Sequence, residues 1–170
     1  LRVTDALAAS PGDPYLPPAT TAIHDMSASR RIVRPARMEH LPELVEFATQ
    51  GGRESGADAE ALHDIRLAVS EVCANVVQHG YRGEARGSIT IETTATAECL
   101  VVRIEDDAPV FDPSTVSPPD TESDGERREP GHLGWHLVYR VMDKVRHEHR
   151  GARGNVVILA KRIRPASAPA

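Results

Sequence analysis

Aromatic side chains are scarce in this chain of 170 residues, with Phe, Trp and Tyr together making up 4%. The core must therefore be assembled mostly from Val, Ile, Leu and Ala. Cysteine occurs twice, as Cys73 and Cys99. Two thiols exclude a disulfide scaffold and a four-cysteine zinc site, and their apolar neighbours mark both as small core residues. No run approaches the roughly 20 apolar residues that cross a bilayer, so no membrane contact is expected. An excess of positive charge is also missing. Against 20 Lys and Arg stand 25 Asp and Glu, a net charge of −5, which argues against direct nucleic-acid binding. The N-terminal segment lacks a basic stretch followed by an apolar run, so no signal peptide is expected and the expected compartment is the reducing cytoplasm.

What is present divides into three stretches. Residues 1–28 are rich in Pro and Ala, with Pro11, Pro14, Pro17 and Pro18 close together, and read as an extension without helix or central strand. Residues 29–163 form the domain, and 164–170 a Pro/Ala tail. Within the domain, 30–35 suits a short strand. A helix follows with Pro42 in its first turn and apolar residues Leu41, Leu44, Val45 and Ala48, and Gly51-Gly52 is expected to end it. Ser55 with Asp58 resembles a capping signal for the next helix. That helix, 59–79, carries a stripe of Leu62, Ile65, Val69, Val72 and Val76, stopped by Gly80. Strands are expected at 88–94 and 100–106, then a long polar loop at 113–130 with four prolines. A Gly-rich entry leads into a helix near Trp135, and two strands, 144–149 and 155–162, close the domain. Strands grouped in hairpins predict an α+β fold, with a mixed, mostly antiparallel sheet carrying its helices on one face.

Four places can carry chemistry. In SEVCANVVQHGY, Glu71 and Asn75 are one helical turn apart and share a face with Gln78, while His79 lies at the border of the apolar stripe. An Asn carbonyl can ligate Mg²⁺, and a Glu can deprotonate a hydroxyl. In EDDAPVFDP, alternation puts Asp106 on the same face as Val102 and Ile104. It is then an inward carboxylate that needs donors, such as the exocyclic amine of a purine. Gly131, His132, Leu133 and Gly134 precede a helix whose free amides suit phosphate, without the Lys-Ser/Thr of a P-loop. Gly154-Asn155 opens the last strand.

The order of these four, spanning residues 29–162, resembles the GHKL ATPase superfamily, and within it the anti-sigma regulatory factor family of serine kinases. The resemblance implies a two-layer α/β sandwich of the GHKL ATP-binding type and the cofactors ATP and Mg²⁺. It implies Asn75 as the Mg²⁺ ligand, Glu71 as catalytic base and Asp106 as reader of the adenine amine. His79, Ala108, Gly131, His132, Leu133, Gly134 and Asn155 would complete the nucleotide site, with the four consecutive residues wrapping the phosphates and Asn155 on the adenine side. Arg127 or Arg128 could neutralise phosphate charge.

One position departs from the family pattern. Where the family has Asp-x-Gly, this chain has Ala108 followed by Pro109. If that position takes positive φ, Ala costs about 1 kcal/mol, and weaker or altered ATP binding is expected. The resemblance implies two activities. One is phosphorylation of a Ser or Thr on a STAS-type anti-anti-sigma partner, in partner switching that controls transcription. The other is a non-catalytic switch that sequesters a sigma factor or similar partner, with or without nucleotide control. Because the family often pairs, a homodimer is also expected. A histidine-kinase fragment is disfavoured by the lack of a helical hairpin with an acceptor His upstream of residue 30.

Overall fold

The computed structural model describes residues 29–81, 87–96, 98–109 and 132–163. Five strands and three longer helices follow in the order β1 (Arg30–Pro35), α1 (Leu41–Glu54), α2 (Ala59–Asn75), β2 (Ser88–Ala95), β3 (Cys99–Asp106), α3 (His132–Val141), β4 (Lys144–His149) and β5 (Asn155–Arg162). The sheet order is β1-β2-β3-β5-β4, and every pairing is antiparallel. The expected mixed sheet is thus fully antiparallel, because β5 turns back from β4 and enters the sheet between β3 and β4. The long loop expected at 113–130, the extension and the tail lie outside the described residues.

The helices cover one face. Leu44, Ile65, Val69, Val72 and Val138 meet Ile89, Ile91, Val102, Ile104 and Leu159 in one aliphatic core, the composition that the scarcity of aromatics demands. The opposite face carries a smaller cluster of Cys99, Val101 and Ala160. Both thiols are core residues as expected. Burial pushes the Cys73 thiol up to about 12, with Asp106 adding to the rise, so it stays protonated and inert.

Three local readings change. Helix α1 does not end at Gly51-Gly52 but runs through them to Glu54. These glycines mark close packing: a Cβ on Gly51 would press on Thr93 of β2 at 3.1 Å, and one on Gly52 would meet Leu62 of α2 at 2.9 Å. The stop comes at Gly56, whose φ of +79° leaves the helical region. The cap of α2 is Asp58 itself, which accepts from Ala61 N at 2.8 Å, rather than a Ser55–Asp58 pair. Finally, α2 does not continue regularly to residue 79. After Asn75 it widens into a π-helical turn over Val76–Gly80, closed by a bond from Tyr81 N to Val76 O of 3.0 Å.

Candidate functional site

The last regular residue of α2 is Asn75, 6% exposed. Its Nδ2 donates to the carbonyl oxygen of Glu71 at 2.7 Å. With the amide nitrogen committed there, Oδ1 is the atom offered to a ligand. Glu71 is half-buried one turn earlier, and its Oε2 lies against Gly134 of α3, where a Cβ would overlap it; the same Cβ would stand 3.5 Å from Asn75 Nδ2. The absence of a side chain at 134 lets α3 close directly onto the Glu71–Asn75 face.

Asp106 ends β3 and is 5% exposed, pointing inward as alternation with Val102 and Ile104 predicts. It pairs in register with Asn155 on β5. Two donors converge on its Oδ1, Asn155 Nδ2 at 2.8 Å and Ala108 N at 2.9 Å. Its Oδ2 makes no hydrogen bond among the described residues. Burial raises the Asp106 carboxyl above the usual carboxylate range and the neighbouring Asp107 adds to this, while the bonds from Asn155 and Ala108 and the charge of Arg150 oppose it. Gly154 makes this register possible. Its φ is +87°, and a Cβ there would overlap the Asp106 carbonyl oxygen, so only glycine lets the β4–β5 turn pass so near the end of β3.

Asn75, Asp106 and Asn155 line one cavity, floored by Val72, Val76 and Val157, with about 20 Å³ inside. That is room for about one water. The donor set suits a purine nucleotide with a hard cation: a carboxylate oxygen for an exocyclic amine, and an Asn oxygen for the metal. Ala108 is 2% exposed. Its methyl sits over Gly80, where a Cβ would come within 2.9 Å of it, so Gly80 leaves the room that this methyl occupies.

His79 does not join this group. It is exposed and lies within the π-helical turn, past the last regular residue of α2. Gln78, in the same turn, is exposed as well. Gly131, Arg127 and Arg128 lie outside the described residues. His132 and Leu133 open α3, which places their backbone at the expected helix entry. Sequence reasoning missed Trp135 and His147, both of which line the cavity. The signals were present: Trp135 directly follows the glycine motif, and His147 and His149 alternate on β4, which puts both on one face. Trp135 is 4% exposed, and its Nε1 is buried without a hydrogen-bond partner among the described residues.

Residues 34–161 match the family described as a histidine kinase-like ATPase domain. The chain is 34% identical over 117 residues to the serine-protein kinase RsbW of Listeria monocytogenes serovar 1/2a, covering 66% of this chain and 74% of that protein. To the serine-protein kinase RsbW of Bacillus subtilis strain 168 it is 30% identical over 117 residues, covering 66% and 72%. Among solved structures, the crystal structure of the RsbU and RsbW domains of Rv1364c from Mycobacterium tuberculosis superposes with a TM-score of 0.59 at 21% identity. That match covers 85% of this chain and 35% of the other, and it supports the fold.

Proposed function

The chain belongs to the histidine kinase-like ATPase domain family, and from that premise we propose that it is an anti-sigma regulator that binds ATP with Mg²⁺ and phosphorylates a serine or threonine of a STAS-type anti-anti-sigma protein. The observation that carries the reading is the shared cavity of Asn75 and Asp106, with Glu71 one turn from Asn75. Bound ATP and Mg²⁺ would supply the phosphoryl group and neutralise its charge. The chain's own residues do the rest. Asp106 Oδ2 accepts from the base amine and orients the nucleotide. Asn75 Oδ1 is offered to the cation. The Glu71 carboxylate, held at the α2–α3 contact, takes the proton of the attacking hydroxyl. The relatives named as serine-protein kinases agree with this chemistry, and partner switching between a sigma factor and the anti-anti-sigma protein follows from differential affinity.

The test is direct. The chain is mixed with its anti-anti-sigma partner, ATP and Mg²⁺, and the partner is examined for phosphoserine or phosphothreonine by mass spectrometry. Phosphate is expected with the wild type and absent with Glu71→Ala, and no phosphate with the wild type overturns the kinase reading. A second reading is favoured by the tight fit of the Ala108 methyl over Gly80: a switch that sequesters a sigma factor with little or no turnover. Calorimetric titration separates the two. Partner binding without measurable ATP affinity would favour the switch.

A further inference from the structure

Two polar atoms on residues that line one cavity are left unmet. The first is an acceptor. Asp106 takes both of its printed hydrogen bonds on Oδ1, from Asn155 Nδ2 and Ala108 N, and Oδ2 takes none among the described residues. The second is a donor. Trp135 Nε1 is buried and has no hydrogen-bond partner among the described residues. An indole carries this single N–H and no acceptor, so no other atom of the side chain compensates. Leaving a buried donor unpaired is costly, and a phenyl ring packs without that cost. The indole is therefore favoured over phenyl only where an acceptor arrives. Trp135 follows Gly134 directly, so the turn of α3 that closes on Glu71 also brings the indole into the cavity lining with Asp106. Two rings hold it there, Tyr139 at 6.1 Å between centroids and His147, edge-on, at 6.2 Å.

We infer that Trp135 is a base-reading residue beside Asp106: its Nε1–H donates to a purine ring nitrogen that flanks the 6-amino group, while Asp106 Oδ2 receives the amine. This rests on the ATP-binding reading above and deepens it. A 6-aminopurine carries its donor amine between two ring nitrogens, N1 and N7, that only accept. An acceptor oxygen and a donor nitrogen on the lining of one cavity are the complement of that edge. A 6-oxo purine would instead set an acceptor against the carboxylate. Val72, Val76 and Val157 of the same lining offer the ring no competing polar group.

Trp135 is the sole tryptophan of the chain, so a proton–nitrogen correlation spectrum of the full chain holds a single indole N–H resonance. The chain is titrated with the Mg²⁺ complexes of ATP, 1-deaza-ATP and 7-deaza-ATP, by this spectrum and by calorimetry. ATP should move the indole resonance downfield as the N–H gains an acceptor. The analogue that lacks the nitrogen in contact should bind without that shift, and which analogue it is identifies N1 or N7. Trp135→Phe should lower ATP affinity about tenfold, the effect of one hydrogen bond, and leave the affinity for that analogue within about threefold of wild type. Replacing the indole by benzothiophene, which has sulfur in place of the N–H, should give the same pattern with the shape of the side chain kept. This second variant decides the matter where phenylalanine packs badly. No downfield shift with ATP, the same shift with all three nucleotides, or an equal loss of affinity for all three in the benzothiophene variant overturns the inference and leaves the ATP-binding reading standing. A wild type that binds none of the three overturns both.

Discussion

Asp106 bears two opposed demands. A ligand amine needs an ionised acceptor, yet the carboxyl is almost wholly buried, and burial raises its pKa. A carboxyl raised in the folded state leaves stability intact below its unfolded pKa and withdraws it as pH rises through the folded value. Asp106→Asn removes this penalty while its Oδ1 still accepts from Asn155 and Ala108. Its Tm relative to wild type should therefore rise as pH climbs from acid toward neutral, and a constant difference in thermal melts would contradict the burial argument. The same change places an NH₂ where the purine amine should be received. ATP affinity should fall about 10- to 100-fold, the usual effect of losing a hydrogen bond to a charged group. Wild-type ATP affinity should also decline as the medium is acidified through the raised Asp106 pKa, since the protonated form is no longer an acceptor. At this scale the sequence was readable wherever a regular period held. Strand alternation placed Asp106, and the helical turn from 71 to 75 placed Glu71 with Asn75. The projection of His79 assumed a regular helix, and nothing in VVQHG announces the π-helical turn over Val76–Gly80.

Among the elements, the contact of α2 with α3 assembles the side proposed as catalytic, and the β4–β5 turn assembles the side proposed to receive the base. Each depends on a glycine, but the two contacts differ in what they press against. A methyl on Gly134 meets the far end of the flexible Glu71 side chain, whereas one on Gly154 meets the backbone of Asp106 and Asp107 at a positive φ. Gly134→Ala should therefore leave the Tm within about 2–4 °C, because Glu71 can swing aside at about 1 kcal/mol or less. Phosphotransfer should nevertheless fall at least about tenfold, since the displaced carboxylate is the proposed base. Gly154→Ala should destabilise by about 1–3 kcal/mol in denaturant unfolding, from strain and overlap together. Equal effects of the two on stability would show that the α2–α3 contact is as rigid as the turn. Element positions were largely visible from pattern, with β4 and β5 matching their expected bounds. The glycines were harder to read. Gly51-Gly52 looks like a helix stop, but its role is to let α1 lie close to β2 and α2, a tertiary fact that local propensity cannot carry.

For the molecule as a whole, nucleotide entry beside Asp106 and Asn155 can be followed at Trp135, which lines the same cavity. The lining that Trp135 shares with Asp106 and Asn155 includes its buried Nε1, which lacks a hydrogen-bond partner among the described residues. Leaving such a donor unpaired costs about 1–3 kcal/mol, a cost that movement of the indole would relieve. Trp135 is also the sole tryptophan of the chain, and its emission reports on its own surroundings. The orphaned N–H was not legible in GHLGW, because it arises only where α3 meets β4. Addition of ATP with Mg²⁺ should shift the Trp135 emission, saturating at the same concentration as calorimetric binding. At about a hundred times Kd the ligand should add about 2.7 kcal/mol of stability, seen as a Tm rise of about 5–10 °C for a chain of this size. Asp106→Asn at the same ATP concentration should show neither response. Calorimetric binding with an unmoved Trp135 spectrum would mean that the base enters by displacing some other wall, and the indole would then be packing alone.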